Sequence, residues 1–422
     1  MTLAEYATLA KKRRMSALEQ QLAELRARMA QAAEACDRKF ASKQMARAEP
    51  DVCGDEVETP LGRHFERETL YEGHRQHGCA DIGALSDLPD DLLDSLSGGS
   101  IPEAHPEEWA FLDTETTGLS GGTGTCAFLI GVGKITREGF HVRQFFMREH
   151  AEESSLLDAV ARYLSDFRVM ITYNGRAFDQ PLLETRYRLH RTRPPFAKME
   201  HLDLLHGARR LWKLRFESCR LVDLENQVLG FEREGDIPGA LIPYIYFEYL
   251  RTRQIARLLP VMRHNALDIL TLACLTGIVP HAFKDPTNIP LRHGAEMAGL
   301  ARWLQAAGEL ESARTLLRRA MNTPMSDEIL FRVMWDLAHL ERKLDAEAEA
   351  VAVWEDLASA RNPYRVRAME ELAKHHEHRT RNRAEALRWT RAARELEDSP
   401  DMARREERLE RKLSTARTRG LL

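Results

Sequence analysis

The chain contains 422 residues, and 61 Lys and Arg residues nearly cancel 65 Asp and Glu residues to leave a net charge of −4. At roughly 100–200 residues per domain, this length predicts about two to four domains. A hydrophobic content of 43% excludes a wholly disordered chain, and six cysteines without a C-x-x-C pair argue against disulfides and thiolate zinc sites. No apolar run approaches the ~18 residues that cross a membrane, and the first residues lack the signal-peptide pattern. We therefore expect a soluble, cytoplasmic protein without membrane contact.

Charge is distributed unevenly along the chain. Residues 51–115 contain 17 acidic and 3 basic residues, whereas residues 186–220 contain 10 basic and 3 acidic residues. The C-terminal stretch 361–419 is also basic, although solvated helix faces would account for it equally well. Because binding depends on the local field, the mildly acidic total does not exclude an anionic partner such as nucleic acid.

The N-terminal segment 1–48 is predicted to contain an amphipathic, coiled-coil-like helix. Apolar residues recur there at alternating spacings of three and four, at Met15, Leu18, Leu22, Leu25, Met29, Ala32 and Cys36. The pattern fits a dimer or partner contact and a lone helix packed on its own domain equally well. Residues 49–105 have many Gly, Pro and Asp breaks and predict an acidic, loosely structured lead-in.

Residues 106–283 predict a mixed α/β domain. Apolar runs typical of strands lie at 109–113, 126–133, 140–147, 169–174 and 201–205, and helical spacing lies at 154–167, 179–190 and 261–275. Strands that come first in a meander and then alternate with helices are typical of a layered α/β fold.

Residues 290–415 predict an all-α repeat domain. Small, bulky and helix-breaking residues recur at an offset near 37, close to the ~34-residue period of tetratricopeptide helical pairs. Repeats of this kind often bind proteins, so a protein partner is one expectation for this region.

Carboxylates occur in three places where strands or helices begin or end. Asp113 and Glu115 are two residues apart at the end of an apolar strand and therefore point to one face. Asp179 begins a helix, where it could also serve as a cap, and His264 and Asp268 share one helix face. Each feature alone is more often structural. Together they suggest a cluster of acids whose repulsion hard divalent cations would relieve.

These segments resemble a known group of nucleases. FLDTETTGL, the stretch from Asn174 to Phe178-Asp179, and His264-x-x-x-Asp268 resemble the three exonuclease motifs of the DEDD group of ribonuclease H-like nucleases. Further segments, including HLDLLHGARRLW and LGFEREGDIPG, resemble the YprB-type ribonuclease H-like domain, whose members carry tetratricopeptide repeats after it. The resemblance implies an α/β fold, a ribonuclease H-like mixed sheet with flanking helices, followed by an all-α tetratricopeptide-like helical repeat domain.

The resemblance also implies an activity, that of a metal-dependent 3′→5′ exonuclease acting on nucleic acid with a single-stranded 3′ end. Two divalent cations, Mg²⁺ or Mn²⁺, would be held by the four acids Asp113, Glu115, Asp179 and Asp268. His264 would orient or deprotonate the attacking water. It lies four residues before the last acid, a spacing that this group uses with Tyr, whereas its His enzymes use five.

Substrate contacts are expected beside these motifs and in the basic window. The candidates are Thr116, Asn174, Arg186, Arg209, Arg210 and Trp212, because basic side chains beside an aromatic ring suit phosphates with a stacked base. Alternatively, Trp212 belongs to a core and the arginines pair with the acidic lead-in.

Two other site hypotheses have weaker support. The Gly-rich segment 120–125 lacks the Lys-Ser/Thr of a nucleotide-binding loop, and His201, Asp203 and His206 lack a fourth zinc ligand at a telling distance.

A second functional hypothesis comes from another class of protein. The chain could be a non-catalytic nuclease-fold scaffold that assembles protein partners through its repeats. The sequence does not distinguish RNA from DNA or define the oligomeric state.

Overall fold

The computed structural model describes residues 54–118, 124–289 and 291–419, with only the backbone described for 415–419. The predicted helix of the segment 1–48 therefore lies outside the described residues. Most of the Gly-rich segment 120–125 does as well.

The described residues contain a mixed sheet of seven strands in the order β1-β2-β7-β6-β5-β8-β9. Neighbours from β1 to β5 pair antiparallel, whereas β5, β8 and β9 pair parallel. The strands are β1 (Asp55–Thr59), β2 (Gly62–Glu72), β5 (Trp109–Thr116), β6 (Ala127–Thr136), β7 (Gly139–Phe146), β8 (Val169–Thr172) and β9 (Glu200–Asp203), and β3 (Gln76–His77) pairs separately with β4 (Ala80–Asp81). The predicted mixed sheet is confirmed.

Helices follow the sheet strands and then occupy the C-terminal part alone. They are α1 (Asp94–Ser97), α2 (Glu153–Leu164), α3 (Asp179–Leu189), α4 (Leu204–Trp212), α5 (Leu221–Leu224), α6 (Ile242–Thr252), α7 (Leu259–Thr276), α8 (Val279–Lys284), α9 (Gly294–Ala307), α10 (Leu310–Met321), α11 (Asp327–Lys343), α12 (Glu347–Ser359), α13 (Arg365–His378), α14 (Arg383–Leu396) and α15 (Pro400–Arg419). The predicted all-helical C-terminal region is confirmed.

The chain forms two compact units. The sheet unit contains described residues up to Asp90 together with Ile101–Asp203 and Leu224–Leu275. The helical unit contains Asp91–Ser100, Leu204–Asp223 and the described residues from Thr276 onward. The limits of these units differ from the predicted limits 106–283 and 290–415, because α4 and α8 pack with the C-terminal helices.

The prediction of a loosely structured lead-in over 49–105 is wrong for residues 55–72. These residues form β1 and β2, which extend the sheet beyond β7. Their acidic side chains pair with arginines of the same unit: Glu56 lies 2.6 Å from Arg148, and Glu66 lies 2.5 Å from Arg143. The acidic composition gave no sign of β2, in which the residues from His64 to Glu66 are buried.

The apolar helix α7 lies in the core. The stretch Ile255–Lys284 is long and apolar enough to cross a membrane by length and composition, and 78% of its apolar window is buried within the protein. The prediction that no run approaches this length is therefore wrong. Burial gives the composition an ordinary explanation, since a helix that is apolar all round suits the interior of a fold.

Helix α7 approaches β6 closely enough to require glycine in the strand. A Cβ atom at Gly131 would lie 2.3 Å from Asn265 Oδ1 and 2.3 Å from Ile269 Cδ1. Gly133 is similarly crowded by Ile269 and Phe140. The two glycines thus allow α7 to lie against the strand beside β5.

Gly131→Ala should lower the free energy of unfolding by about 1–3 kcal/mol, because the added methyl group must displace α7. Gly239→Ala is the matched control, since nothing lies within 4 Å of a Cβ at that position. Urea denaturation of both variants measures the effect. A Gly131→Ala protein as stable as the control would contradict the proposed close packing.

Candidate active site

The first two acids lie at the end of a central buried strand. In β5, Trp109 to Leu112 are at most 1% exposed, and the ladder to β6 becomes irregular between Glu115 and Thr116. Asp113 and Glu115 are the half-buried residues just before this irregularity, and their two-residue spacing places both side chains on one face. A strand anchored by its apolar half thus fixes two carboxylates at its polar end.

Asp179 reaches the same place from the turn after β8. The Asp203 carboxylate holds this turn by accepting the backbone N–H of Asn174 at 2.8 Å and that of Arg176 at 3.2 Å. Asn174 has φ +68°, a left-handed conformation in which Asn is enriched. The Thr114 hydroxyl, on the strand of the first two acids, donates to Asp179 Oδ1 at 2.5 Å. Asp179 is therefore more than a helix cap.

Helix α7 contributes the third element. The Asn265 side chain is fully buried, and its amide donates to Asp113 Oδ2 at 2.8 Å. Gln144 donates to Asn265 Oδ1 at 2.8 Å and so fixes the orientation of that amide. Asp268 lies one turn further along the same helix, and it raises the pKa of Asp113. The structure therefore brings together the four acids that the sequence singles out.

These acids repel one another in a buried setting. Burial raises the pKa of Asp113 well above its ordinary value, and the charges of Asp268 and Asp179 add to the shift. Burial also raises the pKa of Glu115, with further contributions from Asp113 and Asp268. The pKa of Asp179 rises to about 6, chiefly through burial, although the hydrogen bond from Thr114 opposes the shift. The nearby side chains therefore do not fully compensate the negative charge that these acids acquire on ionisation.

Two basic groups face Asp268. The Arg233 guanidinium lies 2.6 Å from Asp268 Oδ1, and its side chain is only 3% exposed. His264 Nε2 lies 3.5 Å from Asp268 Oδ2, while its Nδ1 lies 2.7 Å from Asp236 Oδ1. Burial by itself would lower the pKa of His264, but the hydrogen bond to Asp236 and the charge of Asp268 outweigh burial and raise it.

A network of buried side chains holds Arg233 in place. Its Nε donates to Glu225 at 2.5 Å, and Glu225 is fully buried. Glu225 Oε1 also accepts from the Thr271 hydroxyl at 2.5 Å and lies 3.0 Å from His77 Nε2. Although burial raises the pKa of Glu225, the hydrogen bonds from His77, Arg233 and Thr271 outweigh it and leave that pKa below the ordinary value.

The donor set fits a hard divalent cation. Within the described ranges, no group of three or more His, Cys, Asp or Glu side chains is already arranged to hold an ion. The chemistry nevertheless matches, because several carboxylates lie close enough to raise the pKa of one another, and oxygen ligands are those that Mg²⁺ prefers. An ion would relieve the repulsion that burial intensifies.

The structure contradicts two of the predicted substrate contacts. Trp212 is only 2% exposed and donates its indole N–H to Glu296 at 3.1 Å, so it belongs to the core of the helical unit. Arg186 forms an ion pair with Glu153 of α2, with an 11% exposed side chain, and its partner is therefore not the acidic lead-in. Both groups are occupied by protein contacts.

The remaining predicted contacts differ in their surroundings. The Thr116 hydroxyl donates to the Gly118 carbonyl at 2.8 Å, and Asn174 shapes the turn before Asp179. Arg209 and Arg210 are exposed on α4 of the helical unit. His201, the weakly supported zinc ligand, lies within hydrogen-bonding distance of Thr172 and Gln180 instead, and burial lowers its pKa to about 4.

Sequence reasoning missed the residues that surround the acids. Arg233 and Asp236 lie in LGFEREGDIPG, a segment that carries the family resemblance but contains no recognised motif residue. Phe178 was noted only as the neighbour of Asp179, yet it is 57% exposed, an unusual position for a large aromatic side chain. The sequence feature that could have identified Phe178 is its position directly before the motif acid Asp179.

Comparisons with known proteins agree with this architecture. A family model described as the RNase_H superfamily matches residues 110–279, and the mixed sheet with acids at the end of β5 defines a ribonuclease H-like protein. The uncharacterized protein YprB of Bacillus subtilis (strain 168) is 34% identical over 328 residues, which cover 76% of this chain and 78% of YprB. The chain belongs to the YprB family of ribonuclease H-like proteins. Membership of this superfamily indicates a nuclease.

A solved structure is also similar over part of its length. It is a family B DNA polymerase from the hyperthermophilic archaeon Pyrobaculum calidifontis, 16% identical, with a TM-score of 0.31. The similarity covers 49% of this chain and 30% of the polymerase chain.

Asp179→Asn should stabilise the metal-free protein at high pH. A carboxyl group whose pKa is raised by folding stabilises the fold below its ordinary pKa, and this contribution is lost as pH rises through about 6. In EDTA the variant should be about 3 kcal/mol more stable than wild type at pH 8 and nearly equally stable near pH 4. Urea denaturation across this range provides the measurement.

Glu138→Gln is the control, because Glu138 is an exposed carboxylate in the β6–β7 turn. It should leave the pH dependence unchanged. A constant difference between Asp179→Asn and wild type from pH 4 to pH 8 would show that Asp179 does not titrate with a raised pKa.

Proposed function

We propose that this protein is a metal-dependent 3′→5′ exonuclease of the DEDD type that hydrolyses nucleic-acid phosphodiester bonds. The observation that carries the proposal is the convergence of Asp113, Glu115, Asp179 and Asp268, from three separate segments, into one electrostatically coupled and incompletely compensated cluster. The ribonuclease H-like fold supports a nuclease, and the order of the motifs supports the exonuclease subtype.

The four acids would hold the metal, for which we propose two Mg²⁺ or Mn²⁺ ions. When bound, the ions would polarise the oxygens of the phosphodiester and lower the pKa of the attacking water. The chain's own groups prepare the ligands: Asn265 orients Asp113, and the Thr114 hydroxyl orients Asp179.

His264 is better suited to orient Asp268 than to take a proton from water. Both ring nitrogens face carboxylates, Asp236 at 2.7 Å and Asp268 at 3.5 Å. A general base needs a free nitrogen within about 3 Å of the water, so His264 would first have to leave Asp268. Its role as the base, expected from the resemblance, therefore requires a rearrangement.

Phe178 replaces Trp212 as the proposed stacking residue. Its exposed side chain immediately precedes Asp179, and Arg176 lies exposed in the same turn. A base stacked on an aromatic ring contributes about 1–3 kcal/mol regardless of its identity. This arrangement would suit a single-stranded 3′ end, the substrate that we propose.

The alternative of a non-catalytic scaffold has less support from the site. Burying several carboxylates that raise the pKa of one another destabilises a fold, and a scaffold gains nothing from that cost. The helical unit can still bind a protein partner in addition, and we propose that the tetratricopeptide-like region 290–415 does so.

Asp113→Asn and Asp268→Asn should each reduce exonuclease activity by at least 100-fold, because each removes a proposed metal ligand. The assay uses 5′-labelled single-stranded RNA, single-stranded DNA and duplexes with Mn²⁺, followed on sequencing gels. Wild type should shorten a substrate from its 3′ end. Degradation that persists in either variant would mean a contaminant or a different site.

Phe178→Ala should raise KM for a single-stranded substrate by about 5–100-fold, the equivalent of one lost stacking contact. The turnover number should change much less, since the acids remain in place. Leu189→Ala is the control, as it removes another exposed apolar side chain from the end of α3. Equal KM values for Phe178→Ala and the control would contradict the stacking role.

A further inference from the structure

Among the described residues, two basic side chains lie within 4 Å of Asp268, those of Arg233 and His264. The Arg233 guanidinium contacts three carboxylates, Glu225 at 2.5 Å, Asp268 at 2.6 Å and Asp236 at 3.4 Å. With its side chain 3% exposed, the arginine is held inside the protein rather than reaching in from the surface.

The anchor of Arg233 is Glu225, which is not one of the four motif acids and accepts from Nε at 2.5 Å. Glu225 is fully buried and is itself fixed by His77 and Thr271. An arginine placed to pair with Glu225 alone could turn its remaining N–H groups elsewhere, whereas this one directs Nη2 to Asp268. One planar guanidinium can span several carboxylates in this way because its donors form a rigid fork.

We propose that Arg233 is a built-in counter-cation for Asp268 and sets the affinity of the acid cluster for divalent ions. This inference rests on the proposed function, since it assigns Asp268 to the metal site. In the metal-free protein the guanidinium neutralises Asp268 Oδ1, which makes the cluster less costly to fold. The same contact opposes metal binding, because a fixed positive charge repels the ion and occupies a ligand oxygen.

A purely structural role for the Arg233–Glu225 salt bridge would lead to a different experimental result. If Arg233 only stabilises the fold through Glu225, removing the pair would change the stability of the protein but not its affinity for an ion. If Arg233 competes with the ion, removing it should tighten ion binding. Ion affinity, measured without any substrate, therefore separates the two roles.

The test is isothermal titration calorimetry of the full chain with Mn²⁺. The main variant combines Arg233→Gln with Glu225→Gln, so that Glu225, which is fully buried, is not left as an unpaired carboxylate. We expect Mn²⁺ to bind roughly tenfold more tightly than to wild type, because a unit charge next to a divalent ion is removed. A second variant, Arg233→Lys, should tighten binding about threefold, since one ammonium group held by Glu225 cannot also cover Asp268.

The chain offers a closely matched control pair. Arg143 lies 2.5 Å from the buried Glu66, and Glu66 lies 2.9 Å from His64 Nε2, just as Glu225 contacts His77. Arg143→Gln combined with Glu66→Gln should therefore leave Mn²⁺ affinity unchanged.

Asp113→Asn separates failure of this inference from failure of the proposed site. Loss of Mn²⁺ binding in Asp113→Asn, with unchanged or weaker binding in both Arg233 variants, would overturn the role of Arg233 and leave the site intact. Wild-type affinity in Asp113→Asn would overturn the site, and the inference with it.

Discussion

Repulsion among half-buried carboxylates at the end of β5 is the constraint around which the sheet unit is arranged. Asp113, Glu115 and Asp179 all have raised pKa values, and burial is the largest cause in each case. Neutral donors relieve part of the repulsion: Asn265 donates to Asp113, and Thr114 donates to Asp179. Neutral hydrogen bonds orient a carboxylate without cancelling its charge. A bound cation would therefore still stabilise the cluster.

The fold meets this constraint by letting side chains of α7 come unusually close to the backbone of β6. Asn265 can reach Asp113 only because α7 lies directly against β6, where Gly131 presents no side chain. The same helix carries His264 and Asp268, so one packing contact determines the position of three polar residues. The core is thereby coupled to the site, since a change in the depth of α7 would move Asn265 and Asp268 together.

The sequence predicted the elements whose signal is local. The strand ending at Asp113, the helix beginning at Asp179 and the helix carrying His264 and Asp268 each follow from apolar spacing and short motifs. Their order along the chain suggested the cluster, and resemblance to known nucleases supplied its chemistry. The mixed sheet and the C-terminal helices were predictable for the same reason.

The features that the sequence did not predict depend on contacts between residues that are distant in sequence. Arg233 has no local signal, because its partner Asp268 is 35 residues away and its position depends on the tertiary fold. Trp212 looked like a stacking residue among arginines, but burial is decided by which helices cover it, and α9 provides Glu296 as its partner. Residues 55–72 were predicted to be loosely structured because composition reports charge, whereas strand pairing with β7 decided their structure.

Segmental charge overstated the fields that the folded protein presents. Glu56 of β1 is paired with Arg148 and Glu66 of β2 with Arg143, and Arg186 of the basic window is paired with Glu153. Exposed charged side chains attract charged ligands weakly, because salt screens them. A cluster of half-buried carboxylates that is only partly compensated is screened less and can attract a cation more strongly at short range. Several charges of the acidic and basic segments are therefore paired within the sheet unit, whereas the acids at the end of β5 are compensated only in part.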